Sequence, residues 1–263
     1  MNILVISDSF LPEKISAGKH MSDLVKRLVE LGHNCTLVAT QATVEIGSSK
    51  LNYDLFSINN PLKRSKKLYL RAASEIILPI LLGIKLLFSR KKYDLAITYS
   101  PSIFWVLLLI IIGQKKYGKN FLIVRDLFPL WLSRMNILSQ NGVVFLILNR
   151  VAKIKFAKAD KIFVQSKSDL KTLKDFYGVD CSKLDVLENW YQVVESEHKF
   201  DELNDITSLH DILLLGNFGV AQNQKFLRSM VARSLKNNSN FRFIYVGLKN
   251  TDLKFQQKSL NKF

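Results

Sequence analysis

The sequence predicts an α/β protein: a doubly wound parallel sheet, followed by the opening of a second unit of the same kind that is incomplete. Two observations carry this reading. Short apolar runs alternate with stretches of helical spacing along most of the chain. Later, "LLLGNFGVAQNQKFL" at 213–227 reads as a buried strand that breaks at a glycine, turns through a second one and enters a helix.

The elements follow in order. "NILVIS" (2–7) is a short buried strand. Met21, Leu24, Val25, Leu28 and Leu31 then recur at helical spacing, and Gly32 stops that helix before the strand "CTLVAT" (35–40). This is a βαβ opening. Further strands are "YDLFSI" (53–58), "DLAIT" (94–98), "FLIVR" (121–125), "KIFVQ" (161–165) and "KLDVL" (183–187), with helical stretches between most of them. From Glu195 to His210 the composition turns polar, as a connection between domains does. After it come one strand (212–216), one helix (about 223–236) and a second strand, "FRFIYVG" (241–247). The expected organisation is therefore a first domain over 1–194, a connector over 195–210 and a partial second domain over 211–263.

A chain of 263 residues fits one large domain or two smaller ones, and 48% hydrophobic residues suffice for a substantial core. Cys35 and Cys181 stand far apart with no CxxC and no paired His, so neither a disulfide framework nor a zinc site is indicated. The apolar run after Met1 has no basic region before it and no small-residue cleavage site, which makes it a first strand and places the protein in the cytoplasm.

Charge is the strongest global signal: 38 Lys and Arg against 22 Asp and Glu, a net charge of +16. Such a surface attracts nucleic acid, anionic lipid or phosphorylated substrates. Nucleic acid is disfavoured, because the basic residues lack interleaved aromatics and no known binding module is present. Between Pro61 and Lys92, nine basic residues face the single acid Glu75 and bracket the apolar run "IILPILLGIKLLF" (76–88). Two readings stay open for that run: an interfacial helix whose lysines meet anionic lipid, or a core helix with solvated ends. Neither it nor "IFWVLLLIII" (103–112) is long enough for a span.

Parallel sheets bind ligands beyond the carboxyl ends of their strands. After the first strand, Gly18 and the helix start following it can hold a phosphate, with Lys19 and His20 supplying charge or a proton; the alternative is a plain turn with a solvated His20. After "FLIVR" stand Arg125 and Asp126, where the carboxylate either orients and deprotonates an acceptor hydroxyl or caps a helix and is neutralised by Arg125. Asn189 ends the "KLDVL" strand and either lines the cleft between domains or makes the turn. There is no GxxxxGK[ST], GxSxG or HExxH, and no pair of aspartates separated by one residue, so metal-dependent catalysis is unsupported.

Four blocks, "ILVISDSFLPEKISAGKHMSDLVKRLVELGHNCTLVAT", "YDLAITYSPSIFWVLLLIIIGQKKYGKNFLIVRDLFPLW", "KADKIFVQSKSDLKTLKDFYGVDCSKLDVLENW" and "LLLGNFGVAQNQKFL", in that order and spacing, resemble the family-4 glycosyltransferases. The nearest likeness is to bacterial members that add sugars such as N-acetylfucosamine in O-antigen or capsule assembly. The resemblance implies the GT-B fold of two Rossmann-like domains, the acceptor domain first, and hexosyl or N-acetylhexosaminyl transfer without a metal or other cofactor. It implies a nucleotide-sugar donor as co-substrate and a lipid-linked saccharide acceptor, met peripherally at the inner face of the cytoplasmic membrane. It places Gly18 and His20 in a loop facing the cleft, Asp126 at the acceptor side, and Gly216, Asn217, Gly219 and Gln222 in the donor-phosphate loop. Many members carry arginine and lysine where Asn217 and Gln222 stand, and the subgroup this chain most resembles usually has glycine at the place of Asn223. Nothing after Gly247 matches the family's glutamate-bearing segment. The expectation is a truncated chain, catalytically incomplete alone, or a half that works with a separately encoded donor half.

Overall fold

The computed structural model describes residues 1–10, 16–40, 53–60, 62, 65, 67–100, 102–190, 210–216, 223–237 and 241–246. The strands are β1 (Asn2–Ser7), β2 (Asn34–Thr40), β3 (Asp54–Ile58), β4 (Tyr93–Ser100), β5 (Tyr117–Val124), β6 (Lys161–Val164) and β7 (Leu184–Val186). They form one sheet of seven in the order β3-β2-β1-β4-β5-β6-β7. Every neighbouring pair is parallel, from Thr36 opposite Asp54 at one edge to Ile162 opposite Leu184 at the other. The apolar runs are nearly continuous because both faces of these strands are covered.

Two periodicities cover the faces. α1 (Ser16–Glu30) places Ala17, Met21 and Val25 at four-residue intervals against Ile3, Val5, Leu37, Ala39, Ile97 and Tyr99. The opposite face carries α2 (Leu68–Leu87) and α3 (Trp105–Ile112), whose Leu82, Leu86, Trp105 and Leu108 pack on Leu4, Ile6, Val38 and Ala96. On that same face α5 (Val143–Ala157) and α6 (Lys167–Tyr177) bring Ala152, Phe156, Leu173 and Tyr177 to Leu122, Val124, Ile162 and Val164. A short α4 (Leu130–Arg134) lies between β5 and α5. Helices on both faces make the sheet doubly wound, as the alternation of elements predicts.

The two long apolar runs resolve differently. α3 buries Trp105, Val106, Leu108, Leu109 and Ile112 and is a core helix. α2 is two-faced. Leu78, Leu82 and Leu86 point inward at four-residue spacing, while Ile77, Leu81, Ile84 and Leu87 are exposed and Phe88 just beyond the helix is 81% exposed. Gly83 lets α2 lie close on α3: a Cβ there would stand 3.2 Å from both Ile111 Cβ and Leu108 Cα. No helix among the described residues is long and apolar enough to cross a membrane.

Contacts divide the chain into two compact units, Met1–Val193 and Val194–Phe263. In the second, β8 (His210–Leu215) and β9 (Phe241–Val246) pair in parallel and α7 (Gln224–Asn237) connects them. Cys35 is buried in β2 and its thiol is pushed up to about 11, chiefly by desolvation, whereas Cys181 is exposed.

Candidate functional site

The strand order reverses between β1 and β4, so their crossovers leave in opposite directions and open a crevice beyond their carboxyl ends. Three strands deliver polar groups there: β1 ends at Ser7, β4 at Ser100, and β5 at Val124 just before Arg125 and Asp126.

Arg125 organises this end of the sheet. Its backbone N–H donates to the Ser100 carbonyl at 3.1 Å, which fixes where the side chain starts. Its guanidinium then forks, Nη1 donating to the Tyr99 hydroxyl at 3.1 Å and Nη2 to Ser16 Oγ at 2.8 Å. The last strand residues and the first turn of α1 are thereby joined by one planar donor.

His20 sits in α1, as does Gly18, which is buried in the helix's first turn. The loop expected at Gly18 and His20 is thus helix: α1 starts at Ser16 because burying Ala17, Met21 and Val25 extends its apolar stripe back past Gly18. The His20 ring lies 5.2 Å from the Trp190 ring, and Trp190 Nε1 donates to the His20 carbonyl at 3.2 Å. Nδ1 of His20 is buried with no hydrogen-bond partner among the described residues. Desolvation, then the Arg125 charge, hold the imidazole below its ordinary range, with Asp23 opposing.

Asp126 caps no helix. α4 begins at Leu130 with Pro129 at its cap and no side-chain cap bond, so the capping alternative falls away, while the Arg125 charge does act on the carboxylate. The residue is exposed at its surface, yet its carboxyl is pushed above the ordinary carboxylate range. Desolvation is the main cause; Arg125 and Lys155 pull the other way and Asp169 adds to the rise. Lys155 was not legible as a site residue. It occupies the inner face of α5, is 3% exposed, and its Nζ donates to Ser100 Oγ at 2.8 Å. The sequence does hold a sign of it: Ala152, Lys155, Phe156 and Ala159 fall on one helical stripe whose other members are apolar. Tyr99, Ser16 and Trp190 were missed for a plainer reason, since each is an ordinary core or turn residue until Arg125 or His20 reaches it.

Asn189 follows β7, one residue before Trp190, and its Oδ1 accepts from Gln165 Nε2 at 2.9 Å, which ties the ends of β6 and β7 together. Of the expected donor-loop residues, Gly216 follows directly after β8 in the second unit, while Asn217, Gly219 and Gln222 lie outside the described residues. Asn223 takes a positive φ of 42°, a conformation that glycine adopts freely and asparagine tolerates, and its Oδ1 accepts the Phe226 N–H at 3.2 Å to cap α7.

The fold is thus a doubly wound parallel α/β sheet with a polar constellation at its strand-order reversal. The chain belongs to glycosyltransferase family 4, whose sequence pattern matches residues 17–193. No curated protein matches the sequence. Similar solved structures include OtsA in its apo form, with 12% identity, a TM-score of 0.61, and coverage of 98% of this chain and 69% of that one. "Trehalose-6-phosphate from E. coli bound with UDP-2-fluoro glucose" is similar at 12% identity and a TM-score of 0.59, covering 99% of this chain and 68% of that one. LpCGTa in complex with UDP is similar at 12% identity and a TM-score of 0.58, covering 94% and 71%. At such identities the likeness is one of fold, and the fold is that of GT-B glycosyltransferases. The chain spans about two thirds of the length of these structures.

Proposed function

We propose that this protein transfers a hexosyl or N-acetylhexosaminyl group from a nucleotide-sugar donor to a lipid-linked saccharide, at the inner face of the cytoplasmic membrane, in O-antigen or capsule assembly. The observation that carries the reading is the placing of Asp126, Arg125 and His20 on the carboxyl side of the β1/β4 reversal in a family-4 chain. Asp126 is the base for the acceptor: as the acceptor hydroxyl oxygen bonds to the anomeric carbon and the bond from that carbon to the diphosphate oxygen breaks, the hydroxyl proton passes to the carboxylate. A raised carboxyl suits this role, because a base nearer the working pH takes the proton more readily. His20, its imidazole lowered by desolvation and by the Arg125 charge and with a buried nitrogen unpaired among the described residues, offers a hydrogen bond to the sugar or the acceptor. Arg125 fixes the frame from which both project. Gly216, Asn217, Gly219 and Gln222 take the donor diphosphate, and Gly18 lends its helical first turn. For the membrane side, support comes from the exposed apolar face of α2 and the exposed Val143, Val144, Leu146 and Ile147 of α5, on a strongly basic chain.

The test is transfer of radiolabel from UDP- and GDP-sugars into lipid extracted from bacterial membranes. Asp126→Asn is expected to lower turnover by about 10²–10⁴-fold with the fold kept. Donor and acceptor binding without transfer by the wild-type chain would overturn the catalytic reading and leave a binding half.

A further inference from the structure

At the end of the sheet opposite the candidate site, a cavity of about 380 Å³ opens among the amino ends of four strands. Each gives it its first residue: Asn2 of β1, Asn34 of β2, Asp54 of β3 and Tyr93 of β4. Its size is that of a small-ligand pocket. The floor is buried, with Thr36 at 3% exposure and Tyr93 at 5%. The Tyr93 hydroxyl stands beside Thr36 yet completes no hydrogen bond among the described residues, a costly state for a buried donor unless a ligand accepts from it. Lys91 and Lys92 stand exposed at the mouth. Lys91 is ion-paired with Asp54, the one carboxylate of the lining, whereas Lys92 makes no ion pair among the described residues. Asp94, just outside, accepts the Asn2 N–H at 2.7 Å. The lining therefore has two ammonium groups against one carboxylate, and a buried hydroxyl left to donate.

We propose that this cavity binds a phosphate group, whose oxygens accept from the Lys92 ammonium and the Tyr93 hydroxyl. α1 and α2 run into β2 and β4 here, so helix C-termini face this end and side-chain charge must hold the anion. The cavity also adjoins an apolar surface. Phe88, 81% exposed, precedes Lys91 by three residues and closes the exposed face of α2. The link between them is pinned, since Ser89 Oγ accepts the Lys91 N–H at 3.3 Å and the Ser89 carbonyl accepts from Lys116 Nζ. Two sources share the chemistry: a lipid headgroup whose chains meet Phe88, or a free phosphorylated solute. The site is independent of the transfer reading, and only the lipid source deepens the membrane side of that reading.

The experiment titrates the whole, isotope-labelled chain with inorganic phosphate at fixed ionic strength, chloride making up the balance, and follows the backbone amides by NMR. Saturable shifts are expected at Thr36, Lys92 and Tyr93. Lys92→Gln is expected to weaken this binding about tenfold and Tyr93→Phe about threefold, while Lys171→Gln, the same loss of charge at an exposed position of α6, leaves it unchanged. If Tyr93→Phe fails to fold, Lys92→Gln decides alone. Shifts that do not saturate, or an affinity unchanged in folded Lys92→Gln, would overturn the site. Vesicles of phosphatidylcholine with and without phosphatidic acid then separate the sources. For a lipid phosphate, Lys92→Gln lowers recovery with the phosphatidic acid vesicles more than Lys171→Gln does, and Phe88→Ser lowers it with the phosphate affinity kept. For a free phosphate, Lys92→Gln and Lys171→Gln affect recovery equally. None of these readouts needs transfer, so a failure of the glycosyl-transfer reading is seen separately.

Discussion

Arg125 and Ser16, 109 residues apart in sequence, are joined by a 2.8 Å hydrogen bond that closes the first turn of α1 onto the end of β5. Because the same guanidinium holds the Tyr99 hydroxyl, loosening it frees two elements at once. The charge also reaches both ionisable groups of the candidate site, lowering His20 and lowering Asp126 against its desolvation.

Replacing Arg125 by Gln should therefore raise the titration midpoints of His20 and Asp126 together. Arg125→Lys, which keeps the charge and loses the fork, should leave both near their wild-type values while hydrogen exchange in the first turn of α1 quickens. NMR titration reads the first effect and exchange the second. A fall in either midpoint in the Gln variant would contradict the charge assignment.

Vesicle binding tests the apolar face of α2. The chain should sediment with vesicles containing anionic lipid and be released by salt, since surface attraction is screened over about 8 Å at physiological ionic strength. Phe88→Ser combined with Ile77→Ser should weaken binding even at low salt, each large apolar side chain contributing about 1.5–3 kcal/mol when buried from water. Equal recovery with neutral and anionic vesicles would count against the electrostatic part.

Lys155 should leave a mark on stability as well. Below a pH of about 7 it is charged in folded and unfolded chains alike, and the cost of burying it is full. Above that point the folded chain holds it neutral while the unfolded chain keeps its proton up to the ordinary value of 10.5, so the unfolded state binds more protons and stability rises with pH. Measured against Lys155→Met in urea, wild-type stability should climb between about pH 7 and 9 at up to about 1.4 kcal/mol per unit. A difference that is flat over this range would show that the lysine is not buried in a state that favours its neutral form.

Much of the fold was legible because parallel strands buried on both faces leave a simple signal. The runs at 2–7, 35–40, 53–58, 94–98, 121–125, 161–165 and 183–187 each overlap an observed strand, though β5 starts at Tyr117, ahead of the expected Phe121. Polar Lys119 and Asn120 hid that start, and Asn120 is nevertheless buried, its side chain bonded to Thr98 and to the Lys158 carbonyl. α2 resisted a single reading because its sequence is apolar on nearly every side, and only packing decides which leucines face the sheet. The site was half legible. Asp126, Arg125 and His20 could be found because strand ends are where such folds present chemistry. The partners that give them their properties come from distant segments: Ser16 and Trp190 from the first and last parts of the unit, Lys155 from a helix whose other lysine, Lys153, is exposed.

The two cysteines, set so differently in the first unit, give the native chain a built-in clock. Cys181 is open to a thiol reagent at once, and Cys35, inside the central strands with its thiol held at about 11, is not. One label per chain therefore marks an intact sheet, and the rate at which a second label arrives counts how often that sheet comes apart.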